Sequence, residues 1–191
     1  MKVLFNIKKL QISPITAISA SGVPTYATPI LVPGTVSLSL DPEGESDPFY
    51  ADGIAYYIGA SSSSYTGTLE NACIPAEVLK AVFGYMEDGN KNIVDTDQPT
   101  KEFGMQFAVD SDEGEVYFTL FRVSATKPNM NFQTNEDGKT INPQSMDLTL
   151  STVATSDSKY NVFKSYATKS MTNYAQYFTK ITVPTITGVG V

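Results

Sequence analysis

Polar and apolar residues alternate in several short stretches of this chain, and the alternation predicts strands. In Thr35-Val36-Ser37-Leu38-Ser39-Leu40 the apolar residues fall at every second position, so Val36, Leu38 and Leu40 share one face of a half-buried strand. Residues 49–59 and 65–72 are rich in aromatic and β-branched residues; with a turn at Ser61 to Ser64 they form a predicted hairpin. Residues 103–109 and 115–123 flank the polar, glycine-bearing stretch Asp110-Ser111-Asp112-Glu113-Gly114 and form a second. Residues 145–153 and 181–183 read as further strands, whereas residues 174–178 fit a helical turn or a strand.

One segment has the punctuation of a helix. Pro75 opens it, Glu77 lies in its first turn, Gly84 follows its end, and Val78, Leu79 and Val82 make an apolar stripe beside Phe83. The fold class expected is mainly β: a β-sandwich or flattened barrel of antiparallel strands, with one flanking α-helix at about residues 75–83 and extended N- and C-terminal arms.

Composition narrows the chemistry. The 191 residues fit one domain, 1–191, with an N-terminal arm at 1–15, an acidic interstrand loop at 41–48 and a C-terminal arm at 181–191. Hydrophobic residues at 41% supply a core, and charged residues at 17% are too few for a disordered chain. With no histidine and a single cysteine, Cys73, the chain lacks Ser-His-Asp and Cys-His catalytic pairs, His-ligated zinc and an intramolecular disulfide. No cofactor is expected. Asn6 and Lys8-Lys9 interrupt the opening apolar residues, and no stretch approaches the ~18 apolar residues of a membrane helix, so neither a secretion signal nor a membrane contact is expected.

The net charge of −7 is unevenly spread. Residues 1–115 hold 16 acids and 6 bases (−10), and residues 116–191 hold 4 acids and 7 bases (+3). Such a chain does not bind nucleic acid through released counterions, which needs clustered lysine and arginine.

The candidate sites are acidic. Asp110 to Glu115 has the look of a calcium loop, but its glycine is fifth instead of sixth and the twelfth position is Phe121, so an exposed hairpin tip is the better reading. Residues 85–101 read as a solvated loop. A pair of carboxylates could serve a glycosidase, yet among 20 acids such pairs arise by chance. Tyr117 and Phe121 are read as core or interface residues. The run Asp41-Pro42-Glu43-Gly44-Glu45-Ser46-Asp47-Pro48 has four acids and no base, and its Pro and Gly residues suggest an irregular loop joining two strands; a solvated loop is the first reading, and a loop at an oligomer interface or on a wall facing negative cargo is the functional one.

The order of segments carries a resemblance. Phe49-Tyr50-Ala51-Asp52-Gly53, Tyr65-Thr66-Gly67-Thr68-Leu69-Glu70, Ile74-Pro75-Ala76-Glu77-Val78-Leu79 and Gly84-Tyr85 come first. Glu102-Phe103-Gly104-Met105-Gln106-Phe107, the turn at Asp112 to Gly114, Tyr117-Phe118-Thr119-Leu120-Phe121-Arg122-Val123, Lys127-Pro128 and Ile141-Asn142-Pro143-Gln144 follow. Together, across about residues 30–153, this series resembles the major tail proteins of long, non-contractile-tailed bacteriophages and prophages of Gram-positive bacteria.

The resemblance implies a structural virion protein and no enzyme. Members assemble as hexameric rings that stack into the tail tube, the conduit for DNA ejection. It further implies assembly in the host cytoplasm, and as partners other copies of the chain, a tape-measure protein, a tail terminator and tail-tip or baseplate proteins. DNA passes through the lumen without specific binding. Carboxylates on a wall repel phosphates over about 8 Å at physiological salt. Asp41, Glu43, Glu45, Asp47, Asp110, Asp112 and Glu113 are therefore the candidates for the lumen or the ring-to-ring contact. Alternative readings are another phage or tailocin tail component with the same sandwich, a carbohydrate-binding β-sandwich module, a pilin-like subunit and an acid-pair hydrolase.

Overall fold

The structure, a computed structural model, describes residues 2–51, 54–134 and 142–186, without the side chains of residues 45–51 and 54–63. The chain begins with β1 (Leu4–Ile18), β2 (Pro24–Tyr26), β3 (Ile30–Leu31), β4 (Thr35–Ala51) and β5 (Ile54–Asn71), followed by α1 (Ala76–Val82). A small ribbon of β6 (Met86–Glu87) and β7 (Ile93–Val94) precedes β8 (Phe103–Ser111), β9 (Gly114–Ala125) and β10 (Gln144–Leu150). Then come β11 (Val153–Ala154), β12 (Asn161–Val162), β13 (Lys164–Ala167) and a 3₁₀ turn at Tyr174–Gln176. The protein is mainly β, built on one large antiparallel sheet in the order β2-β1-β8-β9-β10-β5-β4, with β3 beside β1 and β13 beside β9.

The sheet curls so that β1 approaches β4, and the enclosed face holds the main core of Leu10, Ile12, Leu69, Phe103, Met105, Leu120, Met146, Leu148 and Leu150. Helix α1 packs into that core through Val78, Val82 and the adjoining Phe83, the apolar positions expected of it. On the opposite face Phe121 and Val153 gather Ile181 and Val183, with Tyr26 donating its hydroxyl to the Phe121 carbonyl at 2.8 Å. Burial in that second cluster raises the Tyr26 pKa above its ordinary value. Strand β8 is consequently buried at six consecutive residues, Phe103 to Ala108, because both of its faces are covered.

Between the two central strands and their cover lies a polar rung. Gln11, Gln106 and Thr119 stand opposite one another on β1, β8 and β9, all buried. Gln11 Nε2 donates to Gln106 Oε1 and to the Phe178 carbonyl, each at 2.9 Å. Gln106 Nε2 donates to Thr119 Oγ1 at 3.1 Å and to the Tyr177 carbonyl at 2.7 Å. These bonds hold residues 168–186, a strap, across the outer face of the sheet.

Several expectations are corrected. Residues 4–18 are a strand of the main sheet instead of an N-terminal arm, since Leu10 and Ile12 fill the core and the backbone pairs with β8. The acidic run is no loop: Asp41 to Pro48 continues β4, paired residue by residue with β5. Pro42 and Pro48 are tolerated because β4 is the outermost strand, where a missing N–H costs no ladder bond. Ser61 to Ser64 form no turn and lie within β5, which starts at Ile54; Ala51 pairs with Ile54, so only two residues separate the strands. Asp110 and Ser111 are paired strand residues, and the loop shrinks to a two-residue turn at Asp112 and Glu113. Residues 85–101 include the β6–β7 ribbon, closed by Asp88, whose Oδ1 accepts the Asn90 and Asn92 amides at 2.8 Å. Residues 181–183 form no strand, and Ile181 and Val183 are buried on their own chain instead of extending as an arm; residues 187–191 lie outside the described region.

Gly67 is opposite Leu40 of β4, and a Cβ there would fall on the Ser39 carbonyl oxygen. Gly67→Ala should cost about 1–3 kcal/mol, the scale of overpacking. Gly89→Ala, with nothing within 4 Å, should stay within about 0.5 kcal/mol of wild type. Thermal denaturation of the two variants checks the difference.

Candidate functional site

The candidate acids divide into two groups. Asp41 is level with Thr66, Thr149 and Ser124 across the sheet, whereas Asp110 is level with Glu115. Nine residues of β9 separate Glu115 from Ser124, about 30 Å at ~3.3 Å per residue. The structure therefore brings Asp110, Asp112 and Glu113 together and leaves Asp41 and Glu43 elsewhere, exposed on the outermost strand. Glu43 accepts the Thr66 hydroxyl at 2.7 Å. Glu45 and Asp47 pair through their backbones with Ser61 and Gly59, and their side chains are outside the described set.

Around Asp110 the acids are neutralised. Lys8 Nζ lies 2.6 Å from Asp110 Oδ1 and 2.8 Å from Glu115 Oε1, and Lys9 Nζ lies 2.6 Å from Glu115 Oε2. Asn6 Nδ2 donates to Asp110 at 2.7 Å, and the Lys2 amide donates to Asp112 at 2.8 Å. The Tyr117 hydroxyl donates to Glu115 at 3.0 Å, and its ring stacks on Tyr174 at 4.2 Å. Hydrogen bonds from Lys8 and then Lys9 hold the Glu115 carboxyl at about 2, against an ordinary 4.5, with desolvation opposing them. Lys8, chiefly through Asp110, is shifted up, and Asp110, chiefly through Lys8, is shifted down. Burial, with smaller contributions from Tyr174 and Glu115, raises Tyr117.

Two bulges in β1 make this cluster possible. The register with β8 slips between Phe5 and Ile7 and again between Lys8 and Gln11, and Asn6 and Lys9 take positive φ angles of 59° and 55°. In a regular strand neighbouring residues point to opposite faces, but a bulge re-aims one of them. Lys8 and Lys9 thereby reach the same carboxylate. Alternation along the sequence gives no sign of this, and neither the cluster nor the polar rung is among the expected sites; the adjacent pair Lys8-Lys9 was its only visible trace.

Tyr117 and Phe121 lie where a core or interface reading puts them: Tyr117 among the aromatics of the strap and Phe121 in the second cluster. Among the described residues, no group of three or more Asp, Glu or Cys side chains converges to hold a metal, and no helix is long and apolar enough to cross a membrane. The sequence matches no protein-family model and no curated protein.

The β4–β5 ribbon extends past the end of its pairing with the rest of the sheet. Strand β10 pairs with β5 only as far as Tyr65. Beyond it, Glu43 to Ala51 pair with Ser64 to Ile54, and among the described residues neither outer edge of that stretch has a strand beside it.

Two predictions follow from the lysine cluster. Glu115 titrates lower folded than unfolded, so its stabilisation is complete above pH 4.5 and is lost as pH falls toward about 2. Glu115→Gln should therefore be less stable than wild type at neutral pH, by at most about 1 kcal/mol for a solvent-screened pair, with the gap closing between pH 4.5 and 2 in thermal melts. At Lys9, where φ is 55°, Lys9→Gly should be more stable than Lys9→Ala by about 1 kcal/mol, because both lose the ammonium but only alanine keeps the left-handed strain. Denaturant titration of the two variants reads that order, the reverse of the usual strand preference.

Proposed function

We propose that this chain is the major tail-tube subunit of a long, non-contractile-tailed bacteriophage or prophage: a structural virion protein that assembles as stacked, hexameric rings around the path of the ejected DNA. The observation that carries the reading is the β4–β5 ribbon. A two-stranded hairpin is at best marginally stable alone in water, and its free backbone edges are satisfied by pairing with another chain. An element of that kind, about 30 Å long at ~3.3 Å per residue, is what a subunit built for polymerisation offers its neighbour.

The series of segments from Phe49 to Gln144 supports the same reading through its resemblance to tail-tube proteins. The acidity supports it as well, because a net charge of −7 disfavours adhesion of DNA to the subunit. Of the seven candidate acids, Asp41 and Glu43 keep carboxylates without an ion pair among the described residues, whereas Asp110 is compensated by Lys8. The β4 acids are thus the stronger candidates for a lumen wall or ring contact. A tape-measure protein, a terminator and tail-tip proteins complete the partner set of such a subunit.

Negative-stain electron microscopy of concentrated protein, with light scattering on the same sample, tests the proposal. Rings or hollow tubes are the expected result. A monomer at every concentration, together with phage tails left undecorated by antibody against this chain, would overturn it.

A further inference from the structure

Charge is segregated between two stretches of the chain. The hairpin of residues 35–71 carries six acids and no base, and residues 158–191 carry four lysines and no acid. The lysines lie on and around β13 and the strap. Lys164 and Lys180 are exposed and form no ion pair among the described residues; Lys164 Nζ rests 4.3 Å from the Tyr65 ring. Between β13 and the strap opens a cleft of about 470 Å³, with Lys180 on its lining and the exposed Tyr166 and Met171 beside it. Lys159 lies 3.8 Å from Asp157, and Lys169 lines a separate pocket with Glu113 and Glu115.

Both β10 and β13 pair with β9, and Phe163 and Lys164 meet β5 at Tyr65, whose partner on β4 is Pro42. Among the described residues Asp41 and Glu43, which flank Pro42, nevertheless form no ion pair with Lys164 or Lys180. Their opposite charge is available on another copy.

We infer that the β4 edge bearing Asp41 and Glu43 docks on the Lys164–Tyr166–Met171–Lys180 face of a second copy of this chain. The inference rests on the self-assembly reading above and assigns its contact. The two surfaces are different, so each copy donates one and accepts on the other, and the contact propagates head to tail. Lysine stems and the Tyr166 and Met171 side chains supply apolar area beneath the charges.

The test uses the full chain. One variant reverses the ribbon (Asp41→Lys with Glu43→Lys) and a second reverses the strap (Lys164→Glu with Lys180→Glu). Each alone should lose the self-association seen for wild type by light scattering. Mixed in equal amounts they should recover it, since each reversed ribbon then meets a reversed strap; recovery also shows that both variants are folded. Wild-type assembly should weaken about tenfold or more as salt rises from roughly 0.05 to 0.5 M, because screening shortens the reach of the charges. If wild type assembles but neither salt nor the reversals weaken it, this contact is wrong and the tube proposal stands. Loss in both variants without recovery on mixing, circular dichroism showing both folded, also rejects the contact. If wild type never assembles, the self-assembly reading fails first and takes this contact with it.

Discussion

Two buried glutamine amides determine where the rest of the chain can go. Gln11 and Gln106 sit on central strands, and a buried amide without partners costs more than its hydrogen bonds return. Thr119 satisfies one donor, but two others need carbonyls from outside the sheet, and the strap supplies them at Tyr177 and Phe178. Once those carbonyls are fixed, the following residues are led to Phe121 and Val153, where Ile181 and Val183 are buried. The outer face of β1, β8 and β9 is thereby closed by the chain itself. Among the described residues, the β4–β5 ribbon past Tyr65 has no further strand paired to it.

The same logic of competing costs applies at the other end of β1. Holding Lys9 in the left-handed region is unfavourable by roughly 1–2 kcal/mol. The return is a carboxylate gripped from both sides and a Tyr117 ring pinned between Lys9 and Tyr174. Because Tyr174 opens the 3₁₀ turn within the strap, and its hydroxyl donates to the Glu115 carbonyl at 3.3 Å, the bulged segment of β1 and the strap are coupled through one residue of β9 and its neighbour. The strap is thus tied at two points, by the polar rung and by this cluster, and the aromatic contacts between them align its path.

Much of the β content was legible in the sequence because alternation survives wherever one face is buried, as in Leu38 to Leu40 and Met146 to Leu150. The helix was legible because Pro75 and Gly84 bracket an apolar stripe. The ribbon was misread for a physical reason. Prolines, glycine, serines and acids usually mark loops, but an outermost strand tolerates proline. The dipeptide Asp52-Gly53, a strong hairpin signal, was the available clue to where the strands are joined. The lysine cluster was hidden because bulges break the period-2 relation between sequence and face, and the rung because glutamines from β1 and β8 lie 95 residues apart in the chain. The acidic candidates were found as residues but not as a site: the register disperses them, and Lys8 neutralises one of them.

The composition of the ribbon also bears on what kind of assembly it can make. A long exposed edge invites pairing with any strand, including the same edge of an identical molecule, and such symmetric pairing would end growth at a dimer. Four acids at alternate positions from Asp41 to Asp47 oppose that outcome, because two identical β4 edges would bring like charges face to face. The acids therefore act against the closed, two-fold arrangement and in favour of contact with a surface of opposite sign. In the contact inferred above, that surface is the lysine-bearing face of β13 and the strap. Contact between two different surfaces is heterologous, and heterologous contacts generate rings and filaments. In the proposed assembly, the charge pattern of the ribbon would thus steer a polymer toward an open or cyclic form.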